Sequence, residues 1–193
     1  MTSRFENQKR IAIERLKNAI EDDEVDRDIL GLINYINSLN NFYTTSSCSG
    51  RITLLHDLGS KIKNDWLGKW HREVRFDEIL DSLSNIPANG IVWFKYESPI
   101  LHIVSKTIDN AKLLINIARD SGYKRVGIQG LKNERYVVEI CDTERVDCPI
   151  VDNGNLLVDN NYLKYLTRFS NMKFRNGRKK LMKFEREIKR QIG

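Results

Sequence analysis

The chain has 193 residues, with 32 Lys or Arg against 26 Asp or Glu and a formal net charge of +6. A hydrophobic share of 40% with 9% aromatic residues is enough to build a core and excludes a disordered chain. No apolar run approaches the roughly 18 residues that a membrane-spanning helix needs, and the polar start Met1 to Arg10 has no signal-peptide apolar block. Cys48, Cys141 and Cys148 are too scattered for a disulfide framework, so a reducing cytoplasm is the expected location. At about 100–200 residues per domain, one domain over 1–193 is expected.

Ser3 and Glu6 form an S-x-x-E capping box ahead of Ile13, Leu16 and Ile20, which predicts a first helix. A second helix is predicted after Asp26, a possible N-cap, with its stripe at Ile29, Leu32, Ile33, Ile36 and Leu39. Phe42–Thr45 and Arg51–His56 read as short strands around a loop Ser46–Gly50. Trp66–Val74 reads as a strand and Phe76–Leu83 as a short helix. Gly90–Tyr96 and Ile100–Lys106 read as a strand pair across Glu97-Ser98-Pro99. Ile108–Ser121 has helical spacing, with Gly122 as its C-cap. Val126–Gln129, Arg135–Cys141, Asp147–Ile150 and Leu156–Val158 are the next strands, the last two around Asn153-Gly154. A helix from Asn160 should carry Tyr162, Leu166 and Phe169 inward, bend near Gly177 and continue with Leu181, Phe184 and Ile188. These elements make an α/β chain of α+β type, a mixed, largely antiparallel sheet flanked by helices. A weak echo between Leu32–Gly50 and Leu114–Gly130, each a helix, an aromatic residue, a strand and glycine, allows an internal half-repeat.

The positive charge has an address. From Met172 onward, nine cations between Lys173 and Arg190 face two carboxylates, Glu185 and Glu187, so this segment nets +7 and the rest of the chain −1. Either a solvated terminal helix or a phosphate-binding arm accounts for the basic segment 172–193. The chain lacks G-x-G-x-x-G after a strand and G-x-x-x-x-G-K-[ST], which argues against a Rossmann-type nucleotide site. It also lacks C-x-x-C and H-E-x-x-H, so no metal site is expected. Thr44-Thr45-Ser46-Ser47-Cys48-Ser49-Gly50-Arg51 is the richest stretch. Its hydroxyls can hydrogen-bond a polar ligand, Gly50 lets a ligand approach the backbone, and Arg51 can grip a carboxylate or phosphate. A serine-rich turn capping the next strand explains the same composition equally well.

Thr44-x-Ser46-Ser47-Cys48-x-Gly50-Arg51 resembles the [S/T]-x-S-S-C-x-G-R signature of the wybutosine-synthesis protein 3 family. Val25-Asp26 resembles the family's V-D, and Trp66 through His71 its W-x(4)-H strand. Phe94 to Glu97 with Leu101-His102 resembles F-[EK]-x-E-x(3)-L-H, and Ser121-Gly122-Tyr123 with Gly127-Ile128 resembles S-G-[FY]-x(3)-G-I. Pro149, Gly154 and Tyr162 fall where the family's C-terminal part places them. The similarity runs in order over nearly the whole chain.

That resemblance implies a non-Rossmann methyltransferase using S-adenosylmethionine. It would methylate N4 of the 7-(3-amino-3-carboxypropyl)-4-demethylwyosine base at position 37 of tRNA-Phe. Family site residues carried over are Asp26, a histidine and the signature. Asp26 would accept the N4 proton, His102 (or His71) would orient the base or the aspartate, and Ser47 and Cys48 would complete the catalytic set. Thr44, Ser46, Ser47, Ser49, Gly50 and Arg51 would hold the cofactor, with Arg51 on its carboxylate. Phe42, Tyr43, Trp70 or Trp93 could stack on a base or serve as core. A non-catalytic tRNA-binding module and a thiol enzyme using Cys48 are the rival readings.

Overall fold

The computed structural model describes residues 3–60, 64–132 and 135–192. Met1 and Gly193, the ends of the expected single domain, lie outside the described residues. The elements in chain order are α1 (Arg4–Glu21), a short 3-10 turn (Arg27–Ile29), α2 (Leu30–Ser38), β1 (Phe42–Cys48), β2 (Arg51–Asp57), β3 (Asp65–Trp70), α3 (Phe76–Ser82), β4 (Ile91–Glu97), β5 (Ile100–Ser105), α4 (Ile108–Asp120), β6 (Arg125–Lys132), β7 (Arg135–Cys141), β8 (Arg145–Asp152), β9 (Asn155–Leu156) and α5 (Asn160–Ile192). No described helix is long and apolar enough to cross a membrane.

The α+β, non-Rossmann class holds, but the strands form two sheets rather than one. Their orders are β1-β5-β7-β6 and β3-β2-β4-β8-β9, and the pairings are antiparallel. The expected hairpin of β4 with β5 does not form. Each is a central strand whose two edges are already taken, β4 by β2 and β8, β5 by β1 and β7. The echo survives only locally: α2–β1 and α4–β6 supply the two edge strands of one sheet, while the strands that follow, β2 and β7, belong to different sheets.

The chain divides into two compact units. The first is Met1–Ser49, Pro99–Thr143 and Lys179–Gly193; the second is Gly50–Ser98 and Glu144–Arg178. In the first, Leu101, Ile103, Val138 and Ile140 present one sheet face to α2, α4 and the Leu181, Phe184 and Ile188 stripe of α5. Phe5 and Ala12 of α1 cover part of the other face, against Tyr43, Val104 and Val137. The core of the second unit joins Ile52, Leu54, Val92, Phe94 and Tyr96 of its sheet to Ile79 of α3 and to Leu163, Leu166 and Phe174 of α5.

Local signals acted as their chemistry dictates. Ser3 Oγ accepts from Glu6 N–H at 3.2 Å while Ser3 N–H donates to Glu6 Oε2 at 2.9 Å, closing the capping box. Gly122 takes φ +98° after α4. Asn153 and Gly154 have φ 45° and 82°, the two positive values a type I′ hairpin requires.

Three expectations shift. Ser46–Cys48 belong to strand β1, not to a loop. Helix α5 continues through Gly177, because buried Leu163, Leu166, Ser170, Phe174, Gly177, Leu181, Phe184 and Ile188 form one unbroken stripe. A helical glycine costs about 1 kcal/mol relative to Ala, which burial of that stripe outweighs. Of the residues expected inward, Leu166 is buried and Phe169 half-buried, but Tyr162 is 45% exposed and its neighbour Leu163 takes the buried place. Leu163→Ala should therefore destabilise the protein by about 2–5 kcal/mol in urea denaturation, and Tyr162→Ala by less than about 1 kcal/mol.

Candidate active site

β1 is an edge strand of the four-stranded sheet. An edge exposes backbone groups to solvent, and Asn37 of α2 satisfies one of them. Asn37 Oδ1 accepts from Thr44 N–H at 2.8 Å and its Nδ2 donates to Thr44 Oγ1 at 3.1 Å. Thr44 then pairs with Ile103, and Ser47 with Leu101. Two β1 residues, Thr45 and Ser46, thus oppose the single residue His102 of β5. This β-bulge re-aims the side chains beside it.

The result is a polar row on the face opposite the Leu101–Ile103 core. Ser46 Oγ meets His102 Nδ1 at 2.9 Å, and His102 Nε2 meets Glu139 Oε2 at 3.0 Å. Glu139 stands directly across from His102 on β7. Its other oxygen accepts from Gln129 Nε2 at 3.0 Å. Gln129 is itself the extra residue of a second bulge, between Ile128 and Gly130 of β6. As a carboxylate Glu139 can only accept, which places the imidazole proton on Nε2 and leaves Nδ1 to accept from the Ser46 hydroxyl.

A cavity of about 450 Å³ lies along this edge. Ile11, Ala12, Arg15, Leu16 and Ala19 of α1 line it, with Glu24, Val25, Ile33, Tyr43 to Ser47, and Arg135. Of the apolar stripe that predicted α1, Leu16 forms part of this wall, while Ile13 and Ile20 do not line it. Two polar atoms of this wall, Ser47 Oγ and Arg135 Nε, are buried without a hydrogen-bond partner among the described residues. Burying such groups unpaired costs about 1–3 kcal/mol each, so both await a ligand or solvent. Burial pushes the Tyr43 hydroxyl up, with Arg135 opposing, and it donates to Gln8 Oε1 at 3.4 Å.

Asp26 holds the N-cap position of the 3-10 turn but makes no capping bond there. Its Oδ2 accepts from Ser49 N–H at 3.1 Å and from the Ser49 hydroxyl, fixing the end of the signature. Cys48 closes β1 opposite Ile100, its sulfur within 4.8 Å of the Asp26 carboxylate.

The first unit thus brings together Asp26 with Ser49 and Cys48, and Thr44, Ser46 and Ser47 with His102. In the second unit, Gly50 turns the chain at φ +95°. Arg51 pairs with Glu97 and lies over Trp66 at 5.1 Å. His71 follows β3, its carbonyl accepting from Arg178 at 3.2 Å. Of the aromatics, Phe42 is core, Tyr43 is a buried cavity wall, and Trp70 packs on the second core. Trp93 is half-buried with Lys95 5.9 Å from its ring. Sequence reasoning missed Glu139, Gln129, Arg15 and Arg135. A readable signal existed for one: Glu139 is the lone carboxylate in the apolar strand Tyr136–Cys141.

Residues 7–190 match the family model described as Methyltransferase TYW3. The chain belongs to this family. A relative from Thermococcus sibiricus is 45% identical over 188 residues, 96% of this chain and 95% of that one. One from Methanocaldococcus jannaschii is 39% identical over 95% of this chain and 96% of its own. Both are named tRNA(Phe) 7-((3-amino-3-carboxypropyl)-4-demethylwyosine(37)-N(4))-methyltransferase. Among solved structures, the PH1069 protein from Pyrococcus horikoshii superposes with TM-score 0.91 at 40% identity, covering 97% of each chain. A hypothetical protein from Aeropyrum pernix follows at TM-score 0.74 and 28% identity, covering 86% of this chain and 98% of that one. Thr44 to Cys48 of the TYW3 signature thus fall in this chain on a bulged edge strand.

Asp26→Ala should cost about 1–3 kcal/mol in chemical denaturation by stranding the Ser49 donors. In a double-mutant cycle with Ser49→Ala, the two costs should fall short of additive by at least about 0.5 kcal/mol.

Proposed function

We propose that this chain is the S-adenosylmethionine-dependent methyltransferase acting on N4 of 7-(3-amino-3-carboxypropyl)-4-demethylwyosine at position 37 of tRNA(Phe), working where tRNA is processed, in the cytoplasm. The observation that carries the chemistry is Ser46, which lines the cavity and also hydrogen-bonds His102. A methyl-donor site and a proton acceptor thus meet at one side chain.

The cavity suits the cofactor. About 300–1,000 Å³ is the usual size of a small-molecule site, and this one joins an apolar wall to a few polar groups. When bound, S-adenosylmethionine supplies an electrophilic sulfonium methyl. Arg15 and Arg135 would hold its carboxylate, Glu24 its ammonium, and Ser47 Oγ and the β1 backbone edge its remaining polar groups. The apolar side chains of α1 with Val25 and Ile33 would exclude water from the rest. Arg51, committed to Glu97, is left out of this set.

Transfer forms an N4–CH₃ bond, breaks the sulfonium S–CH₃ bond, and displaces the N4 proton. Ser46 and His102 supply the path for that proton: Ser46 Oγ accepts it while passing its own to His102 Nδ1. Glu139, held by Gln129, stabilises the imidazolium that forms. Asp26, given as proton acceptor on the family resemblance, here fixes the signature through Ser49. Alignment of N4 with the methyl supplies much of the rate, since positioning contributes up to roughly 7–11 kcal/mol.

His102→Ala should lower single-turnover methylation, read by mass spectrometry of the modified tRNA, by about 10²–10⁴-fold. Its cofactor affinity by calorimetry should stay unchanged. Arg135→Ala should show the reverse emphasis, weakening cofactor binding by tenfold or more (about 1.4 kcal/mol). Full activity in His102→Ala would remove the relay from the mechanism.

A further inference from the structure

The basic segment does not present its charge to solvent as an open arm. At least seven of its nine cations have an acceptor within the chain. Lys173 pairs with Glu144, Arg175 with Glu73, Lys180 with Asp142, Lys189 with Glu185 and Arg190 with Glu187. Arg178 donates to the His71 carbonyl and Lys183 to that of Asp120. Leu181, Phe184 and Ile188 of the same segment are core. Of the nine, only Lys179 and Arg186 lack an acceptor among the described residues, and further free cations stand outside the segment.

They lie one to two turns upstream on α5, in the second unit. From Asn160 to Phe184 the helix has no acidic residue. Lys164 and Arg168 are exposed, and neither has a carboxylate partner among the described residues. With Arg175 they recur at i, i+4 and i+11, a single stripe along the helix. Tyr162, Tyr165 and Phe169 recur at i, i+3 and i+7, a second stripe beside it. Tyr162 is 45% and Tyr165 47% exposed. The rings form a near-parallel ladder, with centroids 6.3 Å apart at 24° between Tyr162 and Tyr165 and 5.8 Å apart at 10° between Tyr165 and Phe169. The Arg168 guanidinium lies 5.8 Å from the Tyr165 ring and Lys173 Nζ 4.9 Å from that of Phe169. A hollow of about 370 Å³ opens alongside, lined by Asn161, Lys164, Tyr165, Arg168, Asn171 and Arg175 among others.

Neighbouring aromatic pairs on a helix stabilise it by only a few tenths of a kcal/mol, which does not account for two exposed rings stacked in line with a third, half-buried one. Aromatic rings beside exposed cations, two of which (Lys164 and Arg168) have no carboxylate partner among the described residues, are instead what single-stranded nucleic acid requires. Bases stack on the rings, and phosphates meet the cations.

We propose that this face of α5, with Tyr162, Tyr165 and Phe169 beside Lys164, Arg168 and Arg175, is the docking surface for the tRNA substrate. The assignment rests on the tRNA methyltransferase reading above. The ladder takes unstacked bases of a loop, and the stripe of cations takes the adjoining backbone phosphates.

The test measures binding of an unmodified tRNA(Phe) transcript by fluorescence anisotropy, as a function of salt, for the full chain. Tyr165→Ala should weaken binding by about tenfold or more. Lys164→Ala/Arg168→Ala should weaken it and reduce the slope of log K against log salt by about two. Lys189→Ala/Arg190→Ala, at neutralised positions of the same helix, should stay within about twofold of wild type. All three should bind S-adenosylmethionine as the wild type does, which shows that they are folded. Wild-type affinity and salt slope in both Tyr165→Ala and Lys164→Ala/Arg168→Ala would overturn this face alone. Failure of the wild type to bind the transcript would overturn the face together with the reading it rests on.

Discussion

Two residues of β1, Thr45 and Ser46, stand against the single His102 of β5, and the chemistry of the first unit depends on that mismatch. In a regular ladder successive side chains alternate between faces, so a run of hydroxyls would be split evenly between core and solvent. The extra residue breaks the alternation. Ser47 is left beside Leu101 on the core face with its hydroxyl buried, while Ser46 reaches the imidazole on the other face. A second bulge, at Gln129, completes the row by bringing an amide to the far oxygen of Glu139. The His102–Glu139 pair at the centre of the row is part-buried, while Ser46 and Gln129 at its two ends are exposed.

In the proposed function, the same edge would let a chain without a glycine-rich nucleotide loop hold a nucleoside cofactor. A Rossmann site gathers backbone N–H groups at a helix N-terminus. Here a sheet edge would supply the backbone groups, small hydroxyl side chains would keep it accessible, and Arg15 and Arg135 of the cavity wall would supply the charge. Large apolar residues at Thr44–Ser47 would fill the cavity, which gives the composition of the signature a physical reason. The second unit contributes a different chemistry. Its helix face combines rings and cations that the hydrophobic core did not absorb, because the buried stripe of α5 begins at Leu163 and leaves Tyr162 and Tyr165 outside.

Local chemistry was legible in the sequence. The Ser3–Glu6 box, the Gly122 cap and the Asn153-Gly154 turn each depend on residues a few positions apart, and all three form. Strand partnership was not legible. β4 and β5 look like a hairpin because only three residues separate the apolar runs, yet each pairs with strands far away in sequence, a choice made by burial of whole sheet faces. The hydroxyl run read as a loop because its residues bury little apolar area, and it is a strand because Asn37 and β5 satisfy its backbone. The signature and His102 were visible through the family resemblance. Glu139, Arg15 and Arg135 reach the site only through sheet register and helix packing, which no short motif encodes. Net charge misled in a specific way: the segment richest in cations is also the one whose cations are most fully paired.

The central claim is that the cofactor lies along the β1 edge rather than at Arg51. Amide-resolved NMR during titration with S-adenosylhomocysteine tests it most directly, because this demethylated product binds without turnover. The account predicts the largest shifts at Thr44–Ser47 and at Arg15 and Arg135, with little change at Arg51 and Glu97. Shifts concentrated at Arg51, Trp66 and Glu97, with Arg135 and Ser47 silent, would contradict it.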